Sequence, residues 1–447
     1  MNRGLACQTT WRRRGRLPEW PGSVNVPGKS GTNEGCGVPR ARFRARDDMN
    51  GIALSKPLSV EEPRAAAVGK TIIRSTDLWW ATIAATLIPV SLIWDFSWES
   101  SIGVDRFWSP PHLATYIGVW LSGIIGARLL VAGTLARRSG RAADGVSLGP
   151  LCAPSGAWAL LWGAALVQAT LPLDSWWQQA YGLGAGLWPP PQLLKTAGFF
   201  AILLGGALLC AAAQANCSET LSTARRLLPW HGGLLLTLCA VVLMMTNYPN
   251  RQHTGSFYLI SCAIYPAVLV GIGGAARGRW TSTRIALMYM AVVCGMVWLL
   301  PLFPARPLTA PIHNPIDHLM PPPFPLLLVA PALLVDWVRP PLTSCLAGRG
   351  SILIQTCAAG LVFFALFVAA QWPFAEFLLS PGAGNWFFAG GGQHWPFFLK
   401  IDQARVMFWG LKQDPLTWQK SVLAITLAIS SAWIGLRVAR WLSKLRR

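Results

Sequence analysis

Ten runs of mostly apolar residues divide this chain, and each is long enough for an α-helix to cross the roughly 30 Å hydrocarbon layer of a bilayer. They fall at roughly 78–94, 112–136, 154–172, 192–213, 231–247, 256–275, 284–303, 322–338, 351–371 and 420–438, with edges uncertain by a few residues. With 53% hydrophobic and only 13% charged residues in 447, the chain lies outside the soluble globular range. The expected class is therefore all-α, a polytopic transmembrane helix bundle of about ten spans.

The net charge of +20 would suggest nucleic acid in a soluble protein. Here the basic residues sit between apolar runs and at the ends, which points to the lipid bilayer and its anionic headgroups and not to nucleic acid. Alternate connections carry Arg137, Arg138 and Arg141, then Arg225 and Arg226, then Arg277, Arg279 and Arg284, then Arg339 and Arg349; the other short connections carry only Arg106, Arg251 and Arg306. The positive-inside rule then places both termini in the cytoplasm, in the inner (plasma) membrane, with the second set of connections outside. The ten cysteines form no Cys-x-x-Cys pair and lie mostly in or beside apolar runs, so they read as small core residues.

Residues 1–75 are basic, rich in Gly and Pro and without apolar periodicity, so a disordered tail is expected before a single transmembrane domain at 76–447. The Arg-rich text ahead of Met49 reads as an upstream extension, with Met49 the expected start; an N-terminal peptide of the native protein mapping before Met49 would refute that. Within the spans, Pro266 and Pro331 are expected to kink their helices, and the Ser122/Gly126 and Ala201/Gly205 spacings to let backbones approach. Arg128 is expected to snorkel or to pair inside the bundle, and Asp336 to reach water at the inner end of its span.

The residues from Trp94 to His112 recur in degraded form. Asp174, Trp177, Gly182, Trp188, Pro190, Pro191 and Gln192 repeat the order of Asp95, Trp98, Gly103, Trp108, Pro110, Pro111 and His112, with one residue inserted. Asp, Trp and Gly survive in both and read as scaffold. Glu99 has become Gln178, His112 has become Gln192, and no acid matches Asp105, so Glu99, Asp105 and His112 read as what the first copy alone uses. Prolines at a helix start fix the chain's direction without losing a hydrogen bond, so His112 and Gln192 are expected at comparable depth, with His318 opening the eighth span in the same way.

Histidine beside carboxylate is the chemistry of a metal centre or a proton relay. The candidate polar site is Asp95, Glu99, Asp105, His112 and Asp317. Candidate metal ligands are His112, His313 and His318, with His253 and His394 behind them, for copper, zinc or iron. The last outer segment, 372–419, has an amphipathic run from Phe397 to Gly410 and a Gly-rich stretch from Phe388 to Gln393 that could act as a lid.

The Trp-Asp-x-x-Trp, Gly-x-Asp, Trp-Ser-Pro-Pro-His pattern resembles a set of uncharacterised bacterial multi-span membrane proteins, in which His often stands where this chain has Glu99. That resemblance implies a membrane protein and no particular activity. Three functions stay open: an extracytoplasmic His/Asp metal-binding or redox-associated site; a transporter with a parallel internal repeat, since Asp95 and Asp174 are two spans apart; and a transferase with a lipid-linked donor using Asp95. No Walker loop, dinucleotide fingerprint, zinc-protease helix or Gly-x-Ser-x-Gly elbow occurs.

Overall fold

The first two apolar runs fold back on one another as helices α1 (Ser75–Ser101) and α2 (Pro110–Arg138), and the next two as α3 (Ser155–Tyr181) and α4 (Pro190–Ala213). Each hairpin has the same construction: a helix ends at a glycine with positive φ, 80° at Gly103 and 88° at Gly182, and the next helix starts on paired prolines. Only glycine adopts such angles without strain, which is why this residue persists in both copies. In this computed structural model, the described residues are 72–140, 145–182, 189–214, 218–276, 278–345, 349–390, 395–400 and 414–444. The basic tail, His394, Trp188 and most of the run from Phe397 to Gly410 lie outside them.

The chain continues through α5 (Ser218–Val242), α6 (Gly255–Ala275), α7 (Thr281–Leu299), α8 (Val329–Cys345), α9 (Arg349–Leu379) and α10 (Trp418–Lys444). Among the described residues eight helices are long and apolar enough to cross a membrane, and α5 and α8 fall outside that set. A two-stranded hairpin, β1 (Val146–Leu148) and β2 (Leu151–Ala153), joins α2 to α3 and is the one element that hydropathy gave no reason to expect.

Small residues set the helix spacings. A Cβ on Gly156 would lie 2.5 Å from the Gly205 carbonyl, and one on Gly163 2.8 Å from the Gly198 carbonyl, so α3 and α4 touch backbone to backbone. The Ser122/Gly126 spacing does the same between α2 and α3, where a Cβ on Gly126 would meet the Ala157 carbonyl at 3.0 Å. Cys210, Cys239, Cys262 and Cys294 are buried in this core.

Two helix starts differ from the apolar runs. The fifth helix begins at Ser218, about thirteen residues earlier than hydropathy suggests, because Arg225, Arg226 and Pro229 are helical residues and not a connection. His231 therefore lies well inside α5, where it is fully buried. The eighth helix begins at Val329 instead of 322, and residues 303–328 are largely extended because four of 321–325 are prolines, which disfavour helix in the residues before them.

The inner part of this run, 319–328, is largely buried, and side chains satisfy its backbone. Met320 N–H donates to Ser101 Oγ (2.8 Å), Leu326 N–H to Tyr289 OH (3.0 Å) and Leu327 N–H to Gln371 Oε1 (2.8 Å). Asp336 is half-buried, and its carboxylate accepts from Ser282 N–H (3.2 Å), Thr283 N–H (2.8 Å) and Thr283 Oγ1 (2.9 Å), capping the start of α7. Pro331 is the third residue of α8, where it needs no kink, whereas Pro266 interrupts α6 and Ala267 N–H donates to Ser431 Oγ of α10 at 2.9 Å.

The α6–α10 junction makes a testable device. Asp414, just before α10, accepts from Ser256 N–H at the start of α6 (2.7 Å) and from Lys420 Nζ, and its backbone carbonyl accepts from Gly255 N–H (2.7 Å). The bonds from Lys420 and Ser256 pull the Asp414 carboxyl down to about 2. Because its value is depressed on folding, its contribution is complete above the ordinary carboxylate value of about 3.9 and is lost as pH falls through about 2. Asp414→Asn is expected to speed hydrogen exchange at Ser256 by roughly fivefold at neutral pH, the equivalent of ~1 kcal/mol for a lost cap. The difference from wild type should close at acid pH.

Candidate functional site: a two-carboxylate, one-imidazole cluster

Asp95 stands two turns from the end of α1 and His112 is the third residue of α2, so the short loop between these helices holds them opposite one another. Trp98 Nε1–H donates to the Val104 carbonyl (2.9 Å), and Arg106 N–H donates to Ser109 Oγ (2.8 Å), which fixes the turn that carries Asp105. The neighbouring loops clamp it from outside: Leu308 N–H donates to the Ile102 carbonyl (2.9 Å) and Phe397 N–H to the Ser100 carbonyl (3.2 Å). A Cβ on Gly103 would come within 2.5 Å of the Phe397 ring, so this glycine is needed for close approach as well as for its φ.

In the resulting cluster, Asp95 Oδ1 and Asp105 Oδ2 each lie 3.4 Å from the same atom, His112 Nε2. The other ring nitrogen, Nδ1, is 3.0 Å from the Arg106 carbonyl. A carbonyl only accepts, so that contact assigns the proton to Nδ1. A neutral His112 would then point its Nε2 lone pair at two carboxylate oxygens, an arrangement that needs a positive charge between them. Either a proton on Nε2 or a metal ion supplies it. Asp105 feels the crowding: burial lifts its carboxyl above the ordinary range and Asp95 adds to the rise, against the pull of His112. Glu99, one helical turn beyond Asp95 and so on the same face, lies in the field of Asp95, Asp105, His112 and Lys195.

The second copy shows the alternative solution. Asp174 takes the place of Asp95, and its Oδ2 accepts from Gln178 Nε2 (3.4 Å) and Gln192 Nε2 (3.5 Å) while Lys195 Nζ lies 3.7 Å away. A lysine from α4 and two amides neutralise the carboxylate there. No lysine or arginine is ion-paired with Asp95 or Asp105 among the described residues.

Asp95, Asp105 and His112 are the one group of three His, Cys, Asp or Glu side chains whose donor atoms lie within 4.8 Å of each other among the described residues. The other candidates are elsewhere. His313 is exposed in the extended run, with its N–H donating to the Phe397 carbonyl (2.8 Å). His318 lies in that run, eleven residues ahead of α8 and not at a helix entrance, and its Nδ1 is 2.6 Å from Asp317 Oδ1, which lowers the Asp317 carboxyl. His253 Nε2 faces Glu376 Oε1 at 4.0 Å and its ring meets Trp372 edge-on. The residue that sequence reasoning overlooked is Lys195, which sits three positions after Gln192, a spacing that puts both on one helix face. No protein-family model, no curated protein and no solved structure matches this chain.

Proposed function

We propose that the chain is a multi-pass inner (plasma) membrane protein of about ten spans, both termini cytoplasmic, which binds a divalent transition-metal ion at its outer surface through Asp95, Asp105 and His112. Arg residues gathered at and near alternate helix ends, such as Arg137 and Arg138 at the end of α2 and Arg225 and Arg226 in the first turns of α5, support the orientation. The observation that carries the metal reading is the convergence of two carboxylate oxygens on one imidazole nitrogen, both at 3.4 Å, with the other nitrogen turned to a carbonyl. The repeat acts as an internal control, because the same carboxylate position in the second copy is neutralised by a lysine that the first copy lacks.

Two oxygens and one nitrogen form a donor set that suits zinc or iron(II) better than copper(I), and three protein ligands leave a position for water or substrate. Glu99, one helical turn along α1 from Asp95, is a further carboxylate in the field of these three groups. A redox role follows if the ion is iron. The Arg106 carbonyl holds the ring in the tautomer that ligates through Nε2, as an outer partner of a metal-bound histidine does.

Metal analysis of the full chain purified in detergent checks this. Wild type should take up one zinc or iron per chain, and Asp95→Asn or His112→Ala should weaken binding by about 100-fold or more. His313→Ala combined with His318→Ala should leave it unchanged. Undiminished metal in the His112→Ala variant, or none in wild type, refutes the reading.

A further inference from the structure

Beside the cluster, a groove of about 490 Å³ runs down the side of the bundle between α2 and α3. Its walls are aromatic and aliphatic side chains with one amide, Gln168, and Ile117 and Ile124 on α2 are more than half exposed along it. In the bilayer a surface of this kind meets hydrocarbon. Two rings join its upper end to the cluster. Tyr116 lines the groove one turn beyond His112, with ring centroids 6.1 Å apart, and Phe107, two residues after Asp105, packs on Tyr116 at 5.2 Å.

Gln168 is the anomaly. Its Nε2 is enclosed and donates to nothing, in a wall otherwise made of aromatic and aliphatic side chains. An unmatched amide in apolar surroundings is costly, and rotating the terminal amide presents that N–H to the groove. Gln168 lies six residues before Asp174 on α3, about 9 Å lower along the helix axis. The features align by depth: a cation site at the surface, an amide donor one to two turns below, and an apolar channel.

We infer that the groove holds one glycerophospholipid, its acyl chain between α2 and α3, an ester carbonyl accepting from Gln168, and its phosphate on the metal held by Asp95, Asp105 and His112. Only the phosphate contact rests on the metal reading above. The phosphate oxygen is a hard anionic donor that fills the position left open by three protein ligands. The acyl chain gains little over bulk lipid, so specificity comes from the two polar contacts and from the shape of the groove. The lipid, or a molecule that shares its head and chain, is thereby placed with its phosphate beside the one such cluster of His and carboxylate donors among the described residues.

The test uses the full chain in detergent micelles, with palmitoyl-oleoyl phosphatidylglycerol as probe, and reads bound lipid by native mass spectrometry and metal content in parallel. Wild type should retain one lipid through detergent exchange. Ile117→Trp with Ile124→Trp, which fills the groove, should lower retention by about tenfold with metal unchanged, and Gln168→Leu by roughly fivefold. Leu423→Trp, on the exposed face of α10, should change neither. Retention unaffected by the groove substitutions, or lost equally in Leu423→Trp, means annular lipid only and overturns the inference. Lipid held equally by metal-loaded and chelator-stripped wild type overturns the phosphate contact. A chain that takes up no metal yet loses lipid on filling the groove upholds the groove and defeats the metal reading together with the phosphate contact that rests on it.

Discussion

Gly206→Ala is expected to destabilise the bundle by ~3 kcal/mol or more, measured as a lower unfolding midpoint in detergent. A methyl group built at Gly206 lies 2.1 Å from Cε1 of His231 and under 3 Å from both ring nitrogens. Neither side can yield. His231 is fully buried, and its Nε2 is 3.1 Å from Thr82 Oγ1. Thr82 Oγ1 already donates to the Leu78 carbonyl (2.7 Å), so it must accept from Nε2–H, which fixes the tautomer and the ring plane. Moving the ring sacrifices that bond inside an apolar core. The double variant Gly206→Ala, His231→Ala should recover most of the loss, since the two residues touch and their effects are not additive. Full destabilisation persisting in the double variant would show that the cost lies in the α4 backbone and not in the ring.

The second large effect is expected at Arg128. This residue lies in the middle of α2 and pairs with Asp77 in the first turn of α1, whose carboxylate also accepts from Arg74 N–H (2.8 Å). Asp77 is 8% exposed, and an uncompensated charge there cannot be solvated. Arg128→Ala should therefore cost about 3–5 kcal/mol, and Asp77→Ala a similar amount by leaving a guanidinium at membrane depth. Because 38% of the Arg128 side chain is exposed, snorkelling could spare part of the second loss, so Asp77→Ala is expected to be the milder of the two. Exchanging both, as Asp77→Ala with Arg128→Leu, should be milder than either alone. If the double variant is as unstable as Arg128→Ala, the pair is not what holds these helices in register.

The repeat and its glycines were legible in the chain. Trp98 donates to the Val104 carbonyl, Gly103 and Gly182 both take a positive φ, 80° and 88°, and Asp95 and Asp174 each face the third residue of the next helix, His112 or Gln192. Position after paired prolines likewise put His112 and Gln192 at the third residue of a helix. These are local properties, decided within about eighteen residues.

His318 shows where that reasoning stops. It resembles His112 in preceding a run of prolines, but Pro321 to Pro325 prolong an extended segment where Pro110 and Pro111 begin a helix. The difference lies in what receives the backbone. Ser101, Tyr289 and Gln371 come from three other helices to bond the extended run, and nothing in residues 303–328 announces them. Lys195 is a similar case: a lone lysine near the start of an apolar helix reads as a surface charge until the hairpin brings Asp174 to it.

The sequence by itself determined an all-helical chain with long apolar spans, the duplicated hairpin, and the residues at the turn where chemistry could gather. Those follow from periodicity, proline and glycine, which act over a few residues. Only the tertiary structure decided which donor atoms meet. It brought Asp95 and Asp105 onto one nitrogen of His112, sent His313 and His318 elsewhere, and supplied the second copy with its own cation. A distance of 3.4 Å between side chains on different elements depends on helix spacing and loop path, which the whole bundle sets through contacts such as Gly156 on Gly205 and Phe397 against Gly103.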